Sequence, residues 1–283
     1  MGSDKINSTA SSGIEPARLE PTGYVNFGLT GQQWQVLRDK FLLIPAFERD
    51  KQFSAPLTQL LDPGFCTTFL DELAVPLGAP NAKITASLLS KRLAFLFTAG
   101  PLVAMTLFNQ ALDLSVENVI LEFRHDQMWQ SRLPLLRLQT EPFNIVQQPQ
   151  DRDAWRERML HRLFAGNLSI VWDALRASSG VSSNVLWENL AVRIFSLYER
   201  RMHTLATTDI ERARIEDDFD YIVRRAPGEI FGLSRNPLTR FHLPFTPQAG
   251  KPVRFRRTCC FYFRATRPPE YCTVCPLLRS KEK

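Results

Sequence analysis

From Leu93 to Leu112 the chain runs for twenty residues without a charge, reading LAFLFTAGPLVAMTLFNQAL. A segment like this either crosses a bilayer or is buried in a protein core. Gly100-Pro101 falls at its middle, Asn109 and Gln110 lie near its end, and no second such segment accompanies it. Because Gly-Pro breaks or kinks a helix, the stretch reads as two buried helical segments rather than a span. Peripheral association with a membrane surface is left open.

The flanking sequence reads as mainly α. Trp34, Leu37, Phe41 and Ile44 recur at helical spacing until Pro45. Leu57–Leu61 and Phe65–Val75 read as short helices separated by the turn Asp62-Pro63-Gly64. Val119–Phe123 and Leu133–Leu138 carry the strand signal and are expected as a hairpin or strand pair. Ala154–Ala177, with Gly166 as a break, a segment N-capped by Ser183, and a segment from Asp209 to about Arg225 complete the helices. With 44% hydrophobic residues, including 20 Phe and 5 Trp, the chain can build a core and is not disordered throughout. The expected fold is mainly α (α+β): a helix-rich single domain with a small β-hairpin element and a C-terminal cysteine-rich metal-binding loop. Residues 1–24, polar and Ser-rich, are expected as a flexible leader, followed by a helix-rich domain over 25–250. Residues 251–283 are expected as a basic segment packed on that domain.

The formal charge of +6 is concentrated in 251–283, which holds nine Lys or Arg against two Glu. The same segment contains Cys259, Cys260, Cys272 and Cys275; Cys66 stands apart as a small core residue. No secretory leader is evident, so a cytoplasmic site with reduced thiols is expected, and there clustered cysteines bind metal more often than they form disulfides. Four thiolates suit an iron–sulfur cluster or zinc. Neighbouring side chains of an extended strand point apart, so Cys259 and Cys260 can meet only if the backbone bends. A binuclear cluster offers two centres for an adjacent pair, whereas structural zinc uses two spaced pairs. The pair therefore tilts the choice toward iron and leaves zinc open. Arg254, Arg256, Arg257, Arg264 and Arg267 would stabilise a reduced, more negative cluster and attract an acidic redox partner or anionic substrate. The plainer alternative is a solvated basic loop.

Arg256-Arg257-Thr258-Cys259-Cys260, eleven residues, then Cys272-Thr273-Val274-Cys275 resembles the C-terminal signature of the FhuF-type siderophore-iron reductases. Phe263-Arg264 is similar to that family's aromatic-Arg step. Ala111-Leu112-Asp113-Leu114-Ser115, leading to Glu122-Phe123, and Leu186-Trp187-Glu188-Asn189 resemble two of its internal stretches. The chain departs from the pattern by one extra residue between the cysteine pairs, and by Ala265-Thr266-Arg267-Pro268-Pro269 where the family often has Leu-Pro-Gly-Gly. The resemblance implies a [2Fe–2S] cluster on the four cysteines and one-electron reduction of ferric iron in hydroxamate-type siderophores. It implies a cytoplasmic site of action, which peripheral association would place at the inner face of the membrane. It also implies kinship with the C-terminal portion of NRPS-independent siderophore synthetases.

No phosphate loop, dinucleotide fingerprint or hydrolytic motif is present, so electrons are expected from a separate ferredoxin or flavoprotein. Arg256, Arg257 and Arg264 are the candidate siderophore or partner contacts, and no nucleic acid is expected. His125 and Asp126 are expected to border a cleft. Glu216, Asp217, Asp218 and Asp220 are expected to pair along a helix face with Arg212, Arg214, Arg224 and Arg225. A zinc-stabilised binding module and a non-reductive siderophore-biosynthesis relative are the competing functions.

Overall fold

The computed structural model describes residues 28–143, 151–248 and 250–279; the leader expected over 1–24 and most of the 141–150 loop lie outside them. Helix α1 (Gly31–Phe41) starts at a capping box, in which Thr30 accepts from the Gln33 N–H and the Gln33 side chain accepts from Thr30. It stops at Leu42 in a left-handed conformation, φ 63°. Trp34, Leu37 and Phe41 are buried as their spacing demands. Ile44 belongs instead to a strand, β1 (Leu43–Pro45). Strand β2 (Ser54–Pro56) and a 3-10 turn over Leu57–Leu61 lead to α2 (Pro63–Leu77), N-capped by Asp62. Cys66 is fully buried in α2, as expected.

The uncharged stretch forms the C-terminal part of one helix, α3 (Ala82–Phe108), which passes through Gly100-Pro101 without a break. The two-segment expectation fails for an energetic reason. Proline inside a helix costs about 3 kcal/mol, whereas burying one large apolar side chain gains about 1.5–3 kcal/mol. Leu93, Leu96, Phe97, Leu102, Val103, Met105 and Leu107 are all buried on α3, so packing outweighs the local penalty severalfold. Gly100 is needed where α1 crosses, since a Cβ there would come within 3.3 Å of Phe41 Cβ. By length and composition α3 could cross a membrane, but 83% of its most apolar window is buried within this chain. It is the core helix, packed against α1, α2 and the later helices α4 to α7.

After α3 come β3 (Gln110–Leu112), β4 (Ile120–Glu122), β5 (His125–Asp126), β6 (Met128–Trp129), β7 (Leu133–Leu135) and β8 (Thr140–Pro142). The two segments with strand signal are strands, yet they do not pair with each other as a hairpin. β4 pairs antiparallel with β2, and β7 pairs parallel with β1. Only a single bridge, Val119 to Leu135, joins their neighbourhoods. The small hairpin that does form between them is β5–β6, turning at Gln127 with φ 56°.

Helix α4 (Arg152–Leu163) runs into α5 (Ser169–Ser179) through a π turn, Phe164–Leu168, so Gly166 re-phases the helix rather than breaking it. Helix α6 (Ser183–Ser196) continues through a π turn at Leu197–Arg201, and α7 (Asp209–Asp220) through one at Tyr221–Arg225. Ser182, not Ser183, is the N-cap residue of α6. The acidic cluster on α7 is only partly a helix-face network. Arg224 pairs with Asp220, and Arg225 with Asp217 and Asp220. Asp218 turns inward, fully buried, and takes both guanidinium nitrogens of Arg152 at 2.7 Å, Arg156 at 2.8 Å and the Thr106 hydroxyl at 2.9 Å. That node joins α3, α4 and α7. A short hairpin, β9 (Thr246–Gln248) and β10 (Lys251–Val253), then feeds the chain into the cysteine segment.

Candidate functional site

The cysteine segment is tied to the helical body by two consecutive residues of α6. Glu188 is buried, and its carboxylate accepts the backbone N–H of Arg257 at 2.6 Å, that of Thr258 at 2.7 Å, and the Thr258 hydroxyl. Arg256 Nε approaches the same carboxylate at 3.7 Å. Asn189 donates to the Ser87 carbonyl and to the Ser90 hydroxyl on α3, while the Ser87 hydroxyl donates to the Cys260 carbonyl at 2.9 Å. Glu188 thus satisfies the backbone before the cysteine pair directly, and Asn189 holds the α3 segment whose Ser87 hydroxyl meets the Cys260 carbonyl. Trp187, the residue before Glu188, is core and meets Phe231 edge-on.

The backbone bend that adjacent cysteines require is present. Phe261, directly after the pair, is left-handed at φ 62°, and its N–H donates to Cys259 Sγ at 3.3 Å. For a non-glycine residue this costs about 1–2 kcal/mol. The bend sends Cys260 toward Cys272, sulfur to sulfur at 3.7 Å. Cys272 and Cys275 sit on one tight turn, closed by the Cys275 N–H to the Cys272 carbonyl at 3.0 Å. All four cysteines are free thiols. Among the described residues no group of three or more His, Cys, Asp or Glu converges on one point that could hold a metal ion.

The surroundings favour negative charge on one of these sulfurs, Cys260. The Cys260 thiol is pulled down to about 5, first by the hydrogen bond from Cys272, then by Lys91 and Arg256 against the opposing effect of burial. Lys91 Nζ stands 3.7 Å from Cys260 Sγ and over the Tyr262 ring. Cys272 is pushed up by the same bond that lowers Cys260. Burial raises Cys259, with the nearby Cys260 and Cys275 sulfurs adding to the rise. Among the described residues Arg256 Nη2 is buried without a hydrogen-bond acceptor. An orphaned guanidinium N–H near the Cys259, Cys260 and Cys272 thiols fits a site that receives an anionic group. The 3.7 Å sulfur pair fits two ligands of one tetrahedral metal, whose metal–sulfur bonds of about 2.3 Å put neighbouring ligands about 3.8 Å apart.

Beside Cys260 opens a cleft of about 940 Å³. One wall is the N-terminal half of α3, with Lys91, Arg92 and Phe95. The C-terminal end of α2 and the β5–β6 hairpin form another, and residues 262–270 close the side toward the cysteines. Gly78 makes this junction feasible: it is the left-handed cap of α2, and a Cβ there would lie 2.8 Å from the Ala265 carbonyl. Of the two residues expected to border a cleft, His125 lines this one and Asp126 does not. The His125 ring bonds to the Pro76 carbonyl at 3.0 Å and meets Trp129 edge-on, and burial lowers its pKa.

The three expected contact arginines lie elsewhere than on this cleft. Arg256 is buried beneath the cysteine loop, Arg257 donates to the Arg240 carbonyl, and Arg264 is exposed. The cleft cations are instead Lys91, Arg92, Arg193, Arg201 and Arg267. Sequence reasoning passed over the first four. Lys91-Arg92 carries a signal, since two charges interrupt an otherwise buried helix. Arg201 carries none, because a π turn sets its direction. Crowding is severe: burial and the Arg193 charge hold Arg92 down to about 10, and burial with Arg201 and Arg256 lowers Arg193.

A family model described as "Ferric iron reductase FhuF-like transporter" matches residues 87–243, from the Ser87 anchor through α7 to just before the cysteine segment. No curated protein and no solved structure matches the chain.

Proposed function

The chain belongs to the ferric iron reductase FhuF-like family, and on that premise we propose that it is a cytoplasmic reductase of siderophore-bound iron. The observation that carries this reading is a cleft whose Lys91 wall stands 3.7 Å from the Cys260 sulfur. A donor site and a ligand-sized cavity, within the usual range for small-molecule sites, share Lys91 and Tyr262 as a common wall.

In this reading Cys259, Cys260, Cys272 and Cys275 hold a [2Fe–2S] cluster. A sulfur pair with its two remaining partners nearby suits two irons better than four ligands around one zinc. When bound, the cluster supplies one electron at a time. Glu188 and Asn189 keep the loop in register with α3. Arg256 Nη2 donates to the sulfur-rich anion, and Lys91 balances its charge on the cleft side. The cleft holds the ferric chelate next to Cys260, with Trp129 and Phe95 presenting aromatic surface to its organic framework. Hard oxygen donors, such as the hydroxamates the resemblance implies, bind Fe³⁺ far more tightly than Fe²⁺, so one-electron reduction loosens the chelate and protons settle on the freed oxygens. In this reading a separate ferredoxin or flavoprotein supplies the electron.

The test is Cys260→Ser and Cys272→Ser, purified anaerobically. Loss of bound iron and sulfide, of the red-brown absorbance, and of ferric-siderophore reduction is expected together. Full reduction by a cluster-free variant, or a colourless wild-type protein loaded with zinc, would sink the proposal.

A further inference from the structure

We infer that the cleft beside Cys260 takes an iron chelate bearing net negative charge, formed by catecholate or hydroxycarboxylate donors, rather than a neutral tris-hydroxamate. This rests on the reductase reading above and narrows its substrate class. Five cations, Lys91, Arg92, Arg193, Arg201 and Arg267, face the cleft against one carboxylate, Glu270. Glu270 accepts from the Tyr262 hydroxyl at 3.2 Å rather than from any of the five.

Such crowding is unfavourable in the empty protein, because like charges at short range in a partly buried site repel strongly. Burial first, and then Arg201 and Arg256, lower Arg193; burial first, and then Arg193, lower Arg92. Arg92 spends its donors on Ser131. Arg201 is stacked at 5.6 Å on Phe95, and among the described residues no acceptor meets the Arg193 or Arg201 guanidinium. Arginines left without partners in a concave site are poised for an anion they can fork onto. Lys91 and Arg193 also sense Cys260, so the cysteine loop accounts for part of the charge. Arg201 and Arg267, both exposed, extend the positive field outward along the cleft to where a ligand enters.

Charge counting on the substrate completes the argument. Three hydroxamates neutralise Fe³⁺ and leave a complex with no net charge at the metal. Three catecholates, or two hydroxamates with a citrate-type hydroxycarboxylate, overcompensate it and leave an anion. Only the second kind gains from the excess positive charge that lines the cleft.

The experiment uses redox-inert gallium(III) in place of iron, so binding is read without electron transfer. The oxidised full chain is titrated, following tryptophan fluorescence and heat, with gallium tris-catecholate, a gallium citrate-based bis-hydroxamate and an uncharged gallium tris-hydroxamate. The anionic complexes are expected to bind at least about tenfold tighter, with affinity falling as salt is raised. The Arg201→Gln/Arg267→Gln variant should lose about tenfold for the anionic complexes, and the matching Lys variant should recover most of it. Which anion binds better separates catecholate from hydroxycarboxylate. Equal or tighter binding of the neutral complex, absence of salt dependence, or no effect of the Gln variant overturns the inference. Tight binding of anionic gallium complexes with no reduction of their iron counterparts would sustain it while refuting the reductase reading.

Discussion

Glu188→Gln keeps the volume of a buried side chain and removes its charge. In the wild type one carboxylate oxygen accepts the Arg257 N–H at 2.6 Å, and the other accepts the Thr258 N–H at 2.7 Å and the Thr258 hydroxyl. In the variant one of those oxygens becomes an amide NH₂ facing a donor. One part-buried N–H loses its bond to a charged group, about 1.5–3 kcal/mol. The loop therefore loses about 1.5–3 kcal/mol of local stability, roughly 10- to 150-fold in its opening equilibrium. Native-state amide exchange reads this directly. Exchange at Arg257 and Thr258 should accelerate by that factor, while α3 amides away from the loop keep their protection. Iron content of the purified protein should fall in parallel. Unchanged exchange at both amides in a folded variant would refute the anchoring role assigned to Glu188.

Arg256→Gln removes a buried guanidinium whose Nη2 has no acceptor among the described residues. The midpoint potential of the bound cluster should fall by roughly 60 mV, one factor of ten in differential stabilisation of the reduced state. An unchanged voltammetric midpoint would count against the contact. Asp218→Asn leaves Arg152 without its counter-charge and Arg156 with only the more exposed Asp153 and Asp217, so the denaturant midpoint should drop by the equivalent of about 3 kcal/mol. His242 is kept below its ordinary pKa of 6.5, first by burial and then by Arg254. The unfolded chain therefore binds the proton more readily, and His242 removes stability as pH falls below 6.5 toward its folded value. The gap in melting temperature between wild type and His242→Gln should be largest above that window and shrink as pH falls through it; a gap constant with pH would argue that His242 binds its proton equally in the folded and unfolded chain.

Much of the candidate site was legible as residue identity. The four cysteines, the need for a bend at the adjacent pair, and His125 beside a cleft could all be read before the fold, because each is local chemistry at fixed spacing. Other features depended on distant neighbours. Asp218 looks like its acidic neighbours on α7, yet it faces inward because Arg152 and Arg156 approach from α4. The β4 and β7 segments had strand signal, but their partners, β2 and β1, lie more than sixty residues earlier in the chain.

What the sequence alone determined is the set of groups available: an uncharged segment that had to be buried, and four thiols in one basic tail. Hydrophobicity and ligand chemistry travel with the residue, so both survive any folding of the chain. The tertiary structure decided where those groups act. Helix α3 runs unbroken through Pro101 because packing on every side outweighs a local cost, and that brings Lys91 to within 3.7 Å of a sulfur 169 residues away. The cleft exists only because α2, α3, the β5–β6 hairpin, the α6 segment and the cysteine loop each supply one wall. Its charge is likewise a sum over residues with no proximity in the chain, and such a sum is set by distances in space.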